Sequence, residues 1–224
     1  MIFPQYFFGR IKLFGPQQII PSLSAFTIMT ALSGISGSVA HGKQPEPNTQ
    51  AVVTIPADGP LPDGVDAATG FRMQRYRSPV PQTLPGAEVV DTPRVIELLA
   101  AGDVVFIDVY PPTGLGPDPL QGFWVTNEQH SNIEGSVWLP EVGRGFIDSA
   151  HTDYFQRNLN QLTKGSTTPL LFYCTADCWQ SWNAAKRAIL WGHENVFWYP
   201  DGTDGWQDHN QPLVEAVPVN FLGE

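Results

Sequence analysis

The sequence predicts an α/β domain with a mostly parallel central sheet flanked by helices. Three observations predict it. Short apolar runs alternate with stretches of helical period, the pattern of strands linked by crossover helices. Val104–Val109, Leu170–Tyr173 and Val196–Tyr199 are almost continuously apolar, as strands covered on both faces are. The chain has 224 residues, 42% of them hydrophobic, enough for one core plus extensions.

The first 40 residues read as an export signal. Arg10 and Lys12 give a positive start, an apolar stretch runs from Ile19 to about Ile35, and Ser38-Val39-Ala40 offers small residues at a cleavage site. The stretch is too short and too polar to span a bilayer comfortably. Cleavage after Ala40 would leave a periplasmic protein starting at His41, with no membrane attachment, in a compartment where thiols pair. Residues 41–83 read as an N-terminal arm rich in Pro and Gly. Within it, Phe71 to Pro85 is denser, and Arg72, Arg75 and Arg77 are read as a solvated cluster on a strap over the body.

The domain itself is expected over 84–215, with a tail over 216–224. Thr92 is the expected cap of a first helix, with Pro93 at its first position and Gly102 as its stop. Val104–Val109 follows as a strand, then Pro111 to Asn127 as a long loop. Val137-Trp138-Leu139 is a short strand. Thr152 is the expected cap of a second helix that Gly165 stops. Leu170–Tyr173 is a strand, a third helix runs from about Ser181 to Trp191, and Val196–Tyr199 is the last strand. Asp201-Gly-Thr-Asp204-Gly205 lacks the longer loop and the Glu of a calcium site and reads as a turn.

Charge narrows the partners. The net charge is -10, and the 22 acidic residues all lie beyond Ala40. Such a surface repels nucleic acid and anionic lipid.

Chemistry concentrates at Cys174-Thr-Ala-Asp-Cys178-Trp179. Both cysteines of the chain lie here, between a strand and a helix, where ligands gather in parallel sheets. Inward backbone N–H groups and the helix dipole would hold Cys174 as a thiolate, the nucleophile of sulfur transfer and disulfide exchange. Cys178 would resolve an adduct on Cys174. Two other uses of the pair stay open. A structural disulfide closing so short a loop would contribute only about 2 kcal/mol. A metal site would need His193 or His130 as partners. Besides the cysteines, the candidate pocket comprises Thr175, Ala176, Asp177, Trp179, Gln180, Ser181, Asp108 and Tyr110. No metal or cofactor enters this reading.

Several motifs resemble one family. Leu171-Phe-Tyr-Cys174, the following loop and helix, Gly192-His-Glu-Asn-Val196 and Gly205-Trp206 resemble the C-terminal half of a rhodanese domain. Val105-Phe-Ile-Asp108-Val109 and Asn132-Ile-Glu-Gly135-Ser136 resemble two further motifs of that family. The resemblance implies the three-layer rhodanese-like fold over residues 84 to 210. Arg75-Tyr-Arg-Ser-Pro-Val-Pro81, Gly135-Ser-Val-Trp-Leu-Pro140 and Cys174-x-x-x-Cys178-Trp179 are similar to exported Cys-Trp motif proteins associated with pyrroloquinoline quinone (PQQ)-dependent alcohol catabolism. That similarity implies a periplasmic quinoprotein dehydrogenase or a cytochrome c as partner.

The chain departs from the sulfurtransferase pattern. Its loop, Thr175 to Gln180, has no Lys or Arg and carries Asp177. Tyr110 stands where the family has Arg, and Asn132 where it has His. Gln180 replaces the Arg of the related phosphatase loop. The expected activity is therefore thiol–disulfide or sulfur-transfer chemistry with little turnover of thiosulfate. The alternative is a binding or assembly module without catalysis.

Overall fold

A computed structural model describes residues 61–163 and 167–223. The expected signal at 1–40, the first part of the arm and the Gly165 stop lie outside these residues. The described elements are β1 (Ala87–Val89), α1 (Thr92–Ala101), β2 (Val105–Asp108), β3 (Gly114–Pro117), β4 (Trp124–Thr126), β5 (His130–Asn132), β6 (Val137–Trp138), α2 (Ser149–Thr163), β7 (Leu170–Tyr173), α3 (Trp179–Leu190), β8 (Val196–Tyr199), α4 (Gly202–Asp208) and β9 (Val214–Ala216).

Five strands form the central sheet in the order β1-β8-β7-β2-β6, and every neighbouring pair is parallel. The three-layer α/β expectation is met. Alternate residues of each strand serve opposite faces. Ile107, Leu170, Phe172, Val196 and Trp198 pack with Tyr154, Phe155 and Leu159 of α2 and with the alanines of α3. Phe106, Leu171, Tyr173 and Tyr199 pack with Val95 and Leu98 of α1 and Trp206 of α4. Burying each large apolar side chain contributes roughly 1.5–3 kcal/mol.

Helix starts differ from the sequence expectation. Asp91, not Thr92, caps α1 by accepting from Arg94 N, and Thr92 is the first helical residue. The Thr92 hydroxyl instead bonds the buried Tyr199 hydroxyl at 2.7 Å. Asp148 takes the role expected of Thr152, accepting from His151 N at 2.8 Å. In both cases a carboxylate one or more residues upstream outcompetes the hydroxyl for the free amides. Gly102 does end α1, in the left-handed conformation at φ 74°.

Four regions carry structure that the sequence reading missed. The loop Pro111–Asn127 holds an antiparallel pair, β3 with β4. Strand β5 pairs antiparallel with β9. The tail is tied down as well: Trp124 Nε1 and the Tyr154 hydroxyl both donate to Val219 O, and Arg157 donates to Phe221 O. The expected turn at Asp201–Gly205 is the start of helix α4.

The largest correction concerns the arm. Arg72 is buried, not solvated. Its backbone N–H donates to Asn183 Oδ1 (3.0 Å), and Asn183 Nδ2 donates to Arg72 O and Gly143 O (both 2.9 Å). The Arg72 guanidinium lies 4.9 Å from the Trp179 ring centre and donates to the Gln74 and Arg75 carbonyls and to Ser78 Oγ. One turn further along α3, Lys186 Nζ donates to the carbonyls of Thr69 and Gly70. Arg187 donates to the carbonyls of Val142, Arg144 and Gly145. The polar side of α3 therefore grips both the arm and the 141–145 turn, satisfying backbone groups that no strand partner serves.

Asn183→Ala strands three backbone groups at once. It is expected to lower the unfolding free energy by about 2–4 kcal/mol, read as a fall in the denaturant midpoint.

Burial pushes the Lys186 ammonium down to about 8. The unfolded chain, with an ordinary lysine near 10.4, then binds more protons between those two values. Unfolding free energy is therefore expected to rise with pH across about 8 to 10.4, and Lys186→Met should flatten that rise in pH-dependent denaturation.

Candidate functional site

Strands β7 and β2 are neighbours, and both end at the same edge of the sheet. Cys174 follows β7, and Tyr110 lies just beyond β2. Cys178 is the N-cap of α3, so the helix dipole falls first on Cys178 rather than on Cys174. The two cysteines form a disulfide, with Cα atoms 6.2 Å apart. The residues are 1% and 2% exposed, yet both line the floor of a cavity of about 760 Å³.

The loop is shaped by what lies against it. Asp177 is exposed and sits in the left-handed region at φ 52°. Thr175 pairs with Gly202, and Thr203 N donates to Cys174 O at 2.9 Å. At Gly202, with φ 53°, an added Cβ would lie 2.3 Å from Cys174 O. The close crossing of loop and α4 needs glycine there.

The expected cradle of loop amides is not formed as read. Ala176 N donates to Asp204 Oδ2 at 3.0 Å, and Trp179 N donates to Tyr76 O at 2.8 Å. Those two donors are taken by an acid of α4 and by the arm. Ser78 N also donates to Asp177 O, and Arg77 pairs as an antiparallel bridge with Cys178. The arm is thus bonded to the disulfide loop along its backbone.

The candidate residues divide between cavity and support. Thr175, Gln180 and Tyr110 line the cavity with the two cysteines. Thr175 Oγ1 lies 3.9 Å from Cys174 Sγ. Gln180 is buried, and its Oε1 meets no hydrogen-bond donor among the described residues. Ala176, Asp177, Trp179, Ser181 and Asp108 do not line this cavity. Ser181 Oγ donates to Cys178 O and accepts from Trp198 Nε1. Trp179 is buried and donates to Pro79 O, so it anchors the arm rather than a planar ligand. Asp108 is fully buried: one oxygen accepts from Tyr110 N, and the other lies 2.6 Å from His130 Nε2. His130 stacks on Tyr110 with ring centres 4.5 Å apart. Asp108 therefore holds the Tyr110 wall from behind.

Sequence reasoning missed the cationic rim. Arg75 and Arg77 from the arm and Arg144 from the 141–145 turn all line the cavity. The Arg77 guanidinium bonds Thr175 Oγ1 and lies 3.8 Å from Asp204 Oδ2. Arg75 pairs with Asp63 and Arg144 with Glu141. The basic residues that the loop lacks come from elsewhere in the chain. The arginine cluster of the arm was the available signal, but its position over the cysteines depends on contacts with α3. Among the described residues no group of His, Cys, Asp and Glu is arranged to hold a metal ion.

This architecture, with a cysteine at the C-terminal end of a central parallel strand, defines a class. The model of the rhodanese-like domain matches residues 91–209, more than half of the sequence, and the chain belongs to that family. A search of the curated proteins finds no match. Similar solved structures include an uncharacterized protein from Saccharomyces cerevisiae, at 19% identity and TM-score 0.35, covering 55% of this chain and 92% of that one. Another is the polysulfide-sulfur transferase homodimer from Wolinella succinogenes, at 14% identity and TM-score 0.36, covering 58% and 79%. EanB in complex with hercynine matches at 21% identity and TM-score 0.41, covering 58% of this chain and 32% of that one. At these identities the likeness concerns the fold alone.

Gly202→Ala forces the loop and α4 apart. It is expected to destabilise the fold by about 1–3 kcal/mol, measurable by thermal or denaturant unfolding.

Proposed function

We propose that this rhodanese-like domain works by thiol–disulfide exchange at Cys174–Cys178. The observation that carries the reading is a disulfide on the floor of an open cavity with one sulfur at a helix N-terminus. An incoming thiolate attacks Cys174 Sγ and forms a mixed disulfide. The Cys174–Cys178 bond breaks, and its electron pair leaves on Cys178. The α3 dipole favours that thiolate and so makes Cys178 the better leaving group. A second thiolate attacks the mixed disulfide and frees Cys174. Two thiols have then become one disulfide, and their protons and two electrons have gone to the cysteine pair. In the reverse direction, Cys178 resolves an adduct held on Cys174.

Sulfur transfer uses the same atoms. If Cys174 carries a persulfide, attack by Cys178 on Cys174 Sγ expels hydrosulfide and closes the disulfide. We place the protein in the periplasm, where such a pair persists, in support of PQQ-dependent alcohol catabolism beside a quinoprotein dehydrogenase or a cytochrome c. The signal-like start and the Cys-Trp motifs support that placement. A second reading, a non-catalytic assembly module, is favoured by the near-complete burial of both cysteines. A variant with both cysteines changed to Ala that still supports growth on alcohol would select it.

Cys178→Ser is expected to trap a stable mixed disulfide on Cys174 after exposure to a small disulfide, seen by intact mass. Equal adduct yields with and without Cys178 would reject the resolving role.

A further inference from the structure

We propose that Gln180 is a positioning residue for the reduced state of the pair: its Oε1 accepts a hydrogen bond from a thiol that exists only after the Cys174–Cys178 bond has opened. This assignment deepens the exchange chemistry above and rests on it. Three observations carry it. The first is an unmet acceptor. Gln180 is buried, and its Oε1 is sealed from solvent with no hydrogen-bond donor among the described residues. A carbonyl left so costs free energy, and an atom that water does not reach must find its donor within the protein. The second is place. Gln180 is the second residue of α3, two positions after Cys178, and it lines the cavity together with both cysteines. The 141–145 turn closes on its base: a Cβ added at Gly143 would lie 2.6 Å from Gln180 Cβ. The third is that nearby donors are committed elsewhere. The Tyr76 hydroxyl donates to Met73 O and Ser78 Oγ to Arg75 O, while Arg75, Arg77 and Arg144 each pair with a carboxylate.

Reduction supplies what the cavity lacks. In the disulfide neither sulfur carries a proton, so neither can donate. A dithiol reductant attacks one sulfur as its thiolate, the S–S bond breaks, and the displaced sulfur takes a proton. The second sulfur of the reductant then attacks the mixed disulfide and leaves as the cyclic disulfide, and the freed cysteine takes the second proton. Two electrons and two protons have passed to the pair, and two S–H donors stand in the cavity with Gln180. Its Oε1 accepts from one of them and exchanges no proton. The carboxamide thus favours the dithiol twice over, because it gains a partner there and is stranded in the disulfide.

The test compares the unaltered protein with Gln180→Met, which keeps the length and loses the acceptor. Equilibration with a dithiol buffer gives the constant for reduction of the pair. Gln180→Met is expected to shift it roughly fivefold toward the disulfide. The second readout is the infrared S–H stretch of the reduced protein, which has no cysteines besides these two. A band is expected below the frequency of an unbonded small thiol, and it should return to that frequency in Gln180→Met. Should the variant fail to fold, the band of the unaltered protein still decides. An S–H stretch at the unbonded frequency in the unaltered protein, or a reduction constant that Gln180→Met does not move, overturns the assignment and leaves exchange intact. A pair that no dithiol reduces in the folded protein overturns the exchange chemistry and this assignment together.

Discussion

The backbone seam between the arm and the disulfide loop is the constraint on which the site depends. Tyr76 O takes the N–H of Trp179, and Asp177 O takes the N–H of Ser78. These bonds place Arg77 beside Cys178 and Thr175. The seam is held from the other side by α3, whose Asn183 grips both the N–H and the carbonyl of Arg72. Without that grip, the arginines of the arm would be ordinary solvated charges on a Pro-rich segment. With it, they become the rim of a cavity built from two distant parts of the chain.

The same arrangement explains how charge is distributed. Helix α3 buries two cationic side chains with no carboxylate paired to either among the described residues, and backbone carbonyls serve both. Desolvation holds Lys186 at about 8 and Arg187 at about 10. Such groups are costly to bury, and they remain because their donors meet carbonyls of irregular backbone that would otherwise be unpaired. Acids take the complementary places. Asp108 stands behind Tyr110, and Asp204 takes an amide of the cysteine loop.

Much of the frame was legible in the sequence. Leu170–Tyr173 and Val196–Tyr199 were read to the residue, because central parallel strands are apolar on both faces and have sharp ends. The two cysteines marked the strand end that faces the cavity. The rest was hidden by nonlocality. Strands β5 and β9 have three residues each and pair across some eighty positions, so neither shows a period of its own. The β3–β4 pair sits in a Pro- and Gly-rich stretch whose composition argues for loop. Arg72 looked solvated because the asparagine that buries it lies 111 residues away. The loop amides looked free because Asp204 and Tyr76, which take two of them, are far off in sequence.

The rhodanese-like frame thus carries a changed centre. In place of a single sulfur facing a cradle of amides, two sulfurs are joined, two of those amides are spent, and the cationic groups come from the arm and the 141–145 turn. The most direct measurement is an equilibrium titration of the pair against a dithiol buffer. Trapping with an alkylating agent and intact mass would report its state, and near-UV circular dichroism the fold. The account predicts that both thiols become available in one reversible two-electron step while the tertiary signal of the aromatic core stays native. A pair that opens only as that signal collapses would be a structural staple, and would contradict it.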